Sequence, residues 1–116
     1  MTNEETKRMI AYHANFYGTY NRKNQLIEEM SELTQALCRH QRLMCDRTFN
    51  MSQTEVYKNI LEEIADVEIC LDEIKHCLMV DEKLLNEIKQ VKLERTDERI
   101  IKKLRGEKNG KTDNHL

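Results

Sequence analysis

The sequence predicts an all-α fold, and three observations predict it. There is no proline in the 116 residues, and only three glycines, Gly18, Gly106 and Gly110, so few positions break a helix. Apolar residues recur at helical spacing over most of the chain. Charged residues make up 34% and aromatic residues 5%, a balance that suits helices with solvated outer faces. At this length we expect one domain, burying roughly two thirds of the surface of its unfolded chain. The expected architecture is a four-helix bundle over residues 1–105 with an antiparallel central hairpin. A polar, aperiodic, flexible tail is expected over residues 106–116.

The first helix is expected over residues 4–17, closed by Gly18 as the residue after its end. The second runs over residues 21–45, and residues 46–52 form a loop. Ser52, with Glu55 three positions later, has the capping-box pattern that starts the third helix, expected to reach residue 80. Asp81 is the candidate N-cap of the fourth, which runs to residue 105, although no glycine or proline marks that break.

The second and third helices echo each other. Residues 25–33, Gln-Leu-Ile-Glu-Glu-Met-Ser-Glu-Leu, match residues 59–67, Asn-Ile-Leu-Glu-Glu-Ile-Ala-Asp-Val, in their order of polar, apolar, acidic and small positions. Amphipathic helices share such frames, so the echo falls short of demonstrating a duplication. At roughly 100° per residue, Leu26, Met30, Leu33 and Leu37 form one apolar stripe, and Ile60, Ile64, Val67 and Leu71 form its counterpart. Glu29 and Glu63 fall roughly 60° from the centre of their stripes, and Glu32 and Asp66 roughly 120° from it. The four acids therefore flank the predicted core, and the i, i+3 spacing puts each pair on one helix face.

In an antiparallel hairpin, the two acidic segments mirror each other about the loop and stand side by side. Four converging carboxylates repel and need a counter-charge. A hard divalent cation with oxygen ligands, Mg²⁺ above all, supplies it and keeps room for waters and phosphates. One such segment alone reads as a solvated face. Two at the same level beside a core read as a metal site. The fourth helix adds a complementary feature. Its apolar stripe of Leu84, Ile88 and Val91 continues as Lys92, Arg95 and Arg99. These cations either complement the helix dipole near its C-terminus or, opposite the acids, suit a triphosphate chain.

These residues resemble a known family. Glu28-Glu29-x-x-Glu32 paired with Glu63-x-x-Asp66 is similar to the signature of the all-α NTP pyrophosphohydrolases, the superfamily of MazG, the dimeric dUTPases and phosphoribosyl-ATP pyrophosphohydrolase. Tyr17-Gly18, residues 25–33, residues 62–67 and the basic segment of residues 92–99 resemble the MazG-like branch, over about residues 12–101. The resemblance implies a MazG-like bundle and Mg²⁺, with Mn²⁺ as a substitute, held by Glu29, Glu32, Glu63 and Asp66. It implies that Glu28 and Glu62 act in catalysis or support the ligands, and that Lys92, Arg95 and Arg99 hold phosphates. Base contact would fall to His13, Tyr17 and Gln25, with Tyr12 beside them. The implied reaction is hydrolysis of a nucleoside triphosphate between its α and β phosphates. The implied assembly is a homodimer or homotetramer, for which Leu61, Ala65 and Ile69 offer an apolar face away from the main stripe. Two departures stand out: the gap between Glu32 and Glu63 is long for the family, and Thr96 stands where an asparagine is common.

Other constellations are weaker. Cys38 and Cys45, like Cys70 and Cys77, are seven apart, which is ~10.5 Å on a helix and too far for a disulfide. With His40 and His76 they fit no common zinc spacing, and buried or half-buried thiols are the simpler expectation. Glu73-x-x-His76 matches half of a di-iron ligand set whose second half is missing. A net charge of −2 gives no general attraction to nucleic acid or membrane. The chain starts without a signal-peptide pattern and has no stretch apolar enough to span a bilayer, so a cytoplasmic location with reduced cysteines is expected. The competing functional reading is a non-enzymatic helical regulator that binds nucleotides, or a dimerising adaptor. It has to explain acids set beside a core, which cost stability unless a cation or ion pair compensates.

Overall fold

The computed structural model describes residues 1–46, 48 and 50–106. They form four helices and no strand: α1 (Asn3–Tyr17), α2 (Thr19–Cys45), α3 (Gln53–Cys77) and α4 (Glu82–Leu104). The expected tail lies, apart from Gly106, outside the described residues, as do Arg47 and Phe49 of the expected loop. Among the described residues no helix is long and apolar enough to cross a membrane.

Local chemistry sets the ends of the helices. Thr2 and Glu5 close a capping box at the start of α1, and Ser52 and Glu55 close the expected one at the start of α3. In each, the hydroxyl accepts from a backbone N–H three residues on, and the glutamate accepts from the cap's own N–H. Asp81 caps α4 by accepting from the Leu84 N–H. Gly18 ends α1 and also starts α2, at a φ of 84° that favours glycine. The double role lets α2 begin two residues ahead of the expected Asn21. α3 stops at Cys77, three residues before the expected end. Leu78 and Met79 turn the chain, and Met79 takes a φ of 53° in the left-handed region, where a side chain is strained.

The chain divides into two compact units, Met1–Met79 and Val80–Leu116. In the first, α3 packs against both α1 and α2. Ala14 of α1, Ala36 of α2, and Val56, Cys70 and Ile74 of α3 are its buried apolar residues. Arg22 of α2 bonds to Glu73 of α3, and Arg39 of α2 to Asn59 of α3, so positions mirrored about the loop are in contact. His76 of α3 bonds to Asn15 of α1 at 3.0 Å. The second unit contains α4, whose Leu84, Ile88 and Val91 are exposed.

The inward faces of α2 and α3 differ from the predicted stripes. Leu26 and Leu33 are half-buried, but Met30 and Leu37 are exposed, as is Leu71 on α3. Both helices are turned by roughly 60° relative to the expectation, toward their acids. Ala36 sits at the centre of the α2 face, where a small side chain admits close approach. Leu61, Ala65 and Ile69 lie exposed on α3.

Candidate metal centre

The rotation of α2 and α3 brings Glu29, Glu32, Glu63 and Asp66 together. One carboxylate oxygen from each lies within 4.8 Å of the others. Glu29, Glu32 and Glu63 are half-buried, and Asp66 is exposed at the rim. Two oxygens, Glu29 Oε2 and Glu63 Oε2, are shut off from solvent with no hydrogen-bond partner among the described residues. A buried carboxylate oxygen without a donor is costly, and a cation relieves that cost directly. The donor set is all oxygen, which suits Mg²⁺ or Mn²⁺ and not a metal that prefers thiolate or imidazole. These four residues therefore fit a hard divalent cation. They are the four that the sequence singles out as ligands.

The electrostatics agree with the geometry. Burial raises the Glu29 pKa above its ordinary value. A hydrogen bond from Gln25 opposes this, and the charges of Asp66 and Glu32 add to the rise. Gln25 Nε2 donates to Glu29 Oε1 at 2.8 Å, across one turn of α2.

A cleft of about 260 Å³ opens beside the cluster and shares Glu29 and Asp66 with it. His13, Tyr17, Arg22, Gln25, Ile69, Cys70 and Glu73 complete its walls. The three residues expected at the base, His13, Tyr17 and Gln25, are thus gathered at one edge of the acids, and Tyr12 is exposed. Glu28 and Glu62 are exposed and stand outside the four-carboxylate group. On α4, Lys92, Arg95, Thr96 and Arg99 line one shallow groove of about 110 Å³. The Thr96 hydroxyl donates back to the Lys92 carbonyl oxygen at 3.1 Å, a partner within its own helix.

A polar lock not among the expected site residues stands behind the cleft. Arg22 Nη1 donates to Glu73 Oε1 at 3.1 Å, with Arg22 9% and Glu73 2% exposed. Its Nε and Nη2 both donate to Asn21 Oδ1, and the guanidinium lies 4.3 Å from the centre of the Tyr17 ring. A signal for this pair exists in the sequence. The mirror that levels Glu29 with Asp66 also levels Arg22 with Glu73, and the charges there are opposite. Glu73 and His76, the fragment of a di-iron pattern, are instead committed to Arg22 and Asn15.

The four cysteines are free. Cys70 is buried and Cys77 half-buried, as expected, whereas Cys38 and Cys45 are exposed. Burial, with the nearby charges of Glu73 and Glu29, pushes the Cys70 thiol up to about 11, so it stays protonated at neutral pH. Comparison of the chain with protein-family models, with curated proteins and with solved structures found no match in any of the three.

Proposed function

We propose that this protein is a Mg²⁺-dependent nucleoside-triphosphate pyrophosphohydrolase that cleaves between the α and β phosphates, releasing a nucleoside monophosphate and pyrophosphate. One observation carries the reading: four carboxylates from two helices converge within 4.8 Å and leave two buried oxygens without donors. The resemblance of the two acidic segments to those of the MazG-like pyrophosphohydrolases supports the same reading, with α2 and α3 as the antiparallel hairpin that carries them.

Glu29, Glu32, Glu63 and Asp66 hold the metal. A Mg²⁺ held by them would supply a water of lowered pKa and polarise the phosphoryl group to be attacked. Glu28 and Glu62, both exposed, are the candidates to accept the proton of the attacking water. The family resemblance implies phosphate contact for Lys92, Arg95 and Arg99 of α4. The cleft lined by His13 and Tyr17, beside Glu29 and Asp66, is the place for the base. Self-association into a homodimer or homotetramer covers the apolar side chains left exposed on α3, Leu61 and Ile69 among them. We place the protein in the cytoplasm.

The test is to incubate the purified protein with a panel of ribo- and deoxyribonucleoside triphosphates and Mg²⁺, and to resolve the products by ion-exchange chromatography. Monophosphate with pyrophosphate is the expected outcome. Diphosphate with orthophosphate would move the scissile bond to the terminal phosphate. Intact nucleotides across the panel would favour the non-enzymatic regulator or adaptor instead.

A further inference from the structure

Glu29 and Glu63 occupy equivalent positions in the two echoing segments, and so do the residues one turn before them, Gln25 and Asn59. These two amides behave differently. Gln25 donates to Glu29 Oε1 at 2.8 Å, so Glu29 is held by one oxygen while the other, Oε2, stays buried and without a donor. Asn59 is one methylene shorter and is engaged elsewhere, its Oδ1 accepting from Arg39 Nη1 at 3.1 Å. Among the described residues Glu63 Oε2 has no hydrogen-bond partner, and no side-chain amide one turn earlier holds Glu63 as Gln25 holds Glu29.

We infer that Gln25 is a positioning residue for the metal centre, fixing Glu29 as its preorganised ligand while Glu63 is left to adapt. The inference rests on the metal-site reading above. It also gives Gln25 a different role from base contact, because its side-chain amide already serves Glu29. A donor that orients a ligand carboxylate reduces the reorganisation needed on binding, and loss of such a donor typically weakens metal affinity by ~10–100-fold. The amide must both donate and reach across a full helical turn. Asn59 at the matching place shows a shorter amide bonded to a different partner.

The experiment is Mn²⁺ binding to the nucleotide-free protein, read by electron paramagnetic resonance and by calorimetry. Gln25→Met keeps the length and removes the donor, and Gln25→Asn keeps the amide and removes the reach. Both are expected to weaken Mn²⁺ binding by about tenfold, while Asn59→Ala changes it by less than about twofold. Unchanged affinity in both Gln25 variants, or an equal loss from Asn59→Ala, overturns the inference. If the unsubstituted protein binds no Mn²⁺, the metal-site reading itself fails, an outcome distinct from either of these.

Discussion

The acid-bearing stretches of α2 and α3 repeat one pattern in two different settings. In α2, Glu29 is held by Gln25, and Glu32 is half-buried. In α3, Glu63 Oε2 has no hydrogen-bond partner among the described residues, and Asp66 stands exposed at the rim. The ends of the pairing differ as well. Arg22 meets Glu73 in a nearly dry ion pair, while Arg39 meets the neutral, half-buried Asn59. A repeated pattern thus supplies a balanced set of four carboxylates, but side-chain length and local burial decide which of them is held by a neighbour. Both helices border the cleft, where Arg22 bonds to Glu73 and lies over the Tyr17 ring.

The two ends of the pairing should separate most in stability. Arg22→Ala strands a Glu73 carboxylate that is 2% exposed, and we expect a loss of about 3–5 kcal/mol. Arg39→Ala removes one hydrogen bond to a half-buried amide and should cost about 1 kcal/mol. Urea unfolding of the two variants reads the contrast, and equal losses would mean that the Arg22–Glu73 pair is not the lock described here.

Charge-removing substitutions sharpen the contrast within the cluster. Glu29→Gln and Glu63→Gln should each lower turnover by about two to three orders of magnitude. The larger loss of Mn²⁺ affinity should come from Glu29→Gln, because that variant loses the preorganised ligand. Retention of full turnover by either variant would remove that residue from the metal centre.

The metal-free protein should respond unusually to pH. Glu29 has a raised pKa in the native state, so the folded protein binds a proton that the unfolded chain releases above the ordinary value of 4.5. Its destabilising effect is complete above the raised value and gone below 4.5. Stability at this site therefore increases as the pH falls from neutrality through the Glu29 pKa. Asp46 acts in the opposite sense but in a lower window: the Thr48 hydroxyl and N–H lower its pKa, and its contribution is lost only below 3.8. Unfolding midpoints of the metal-free protein across that pH range should show the slope, and Glu29→Gln should flatten it. Saturating Mg²⁺ should reverse it, since binding requires the ionised carboxylates.

The smallest effect is expected where the two units of the chain join. Both Gly18 and Met79 adopt positive φ between helices, but only Gly18 is suited to it. Met79→Gly should stabilise the protein by up to about 1 kcal/mol, and Met79→Val should destabilise it by a similar amount. A thermal melt of each distinguishes a strained turn from a tolerant one.

The sequence by itself determined the helices and the membership of the acid cluster. Capping chemistry is local, so Ser52 with Glu55, Asp81 and Gly18 mark their boundaries without reference to the rest of the chain. The mirrored positions of Glu29, Glu32, Glu63 and Asp66 follow from helical rise and loop position alone. Only the tertiary structure decided how far each helix is turned. Periodicity fixes the angle between an acid and its stripe, but not which part of a broad face meets the neighbouring helix. The close approach around Ala36, Val56 and Ile74 turned Glu29 and Glu63 inward and left Met30 and Leu37 exposed. Arg22 and Glu73, 51 positions apart, are paired by the same packing. The mirror about the loop levels these two residues, but only the way the two helix faces meet brings their side chains into contact.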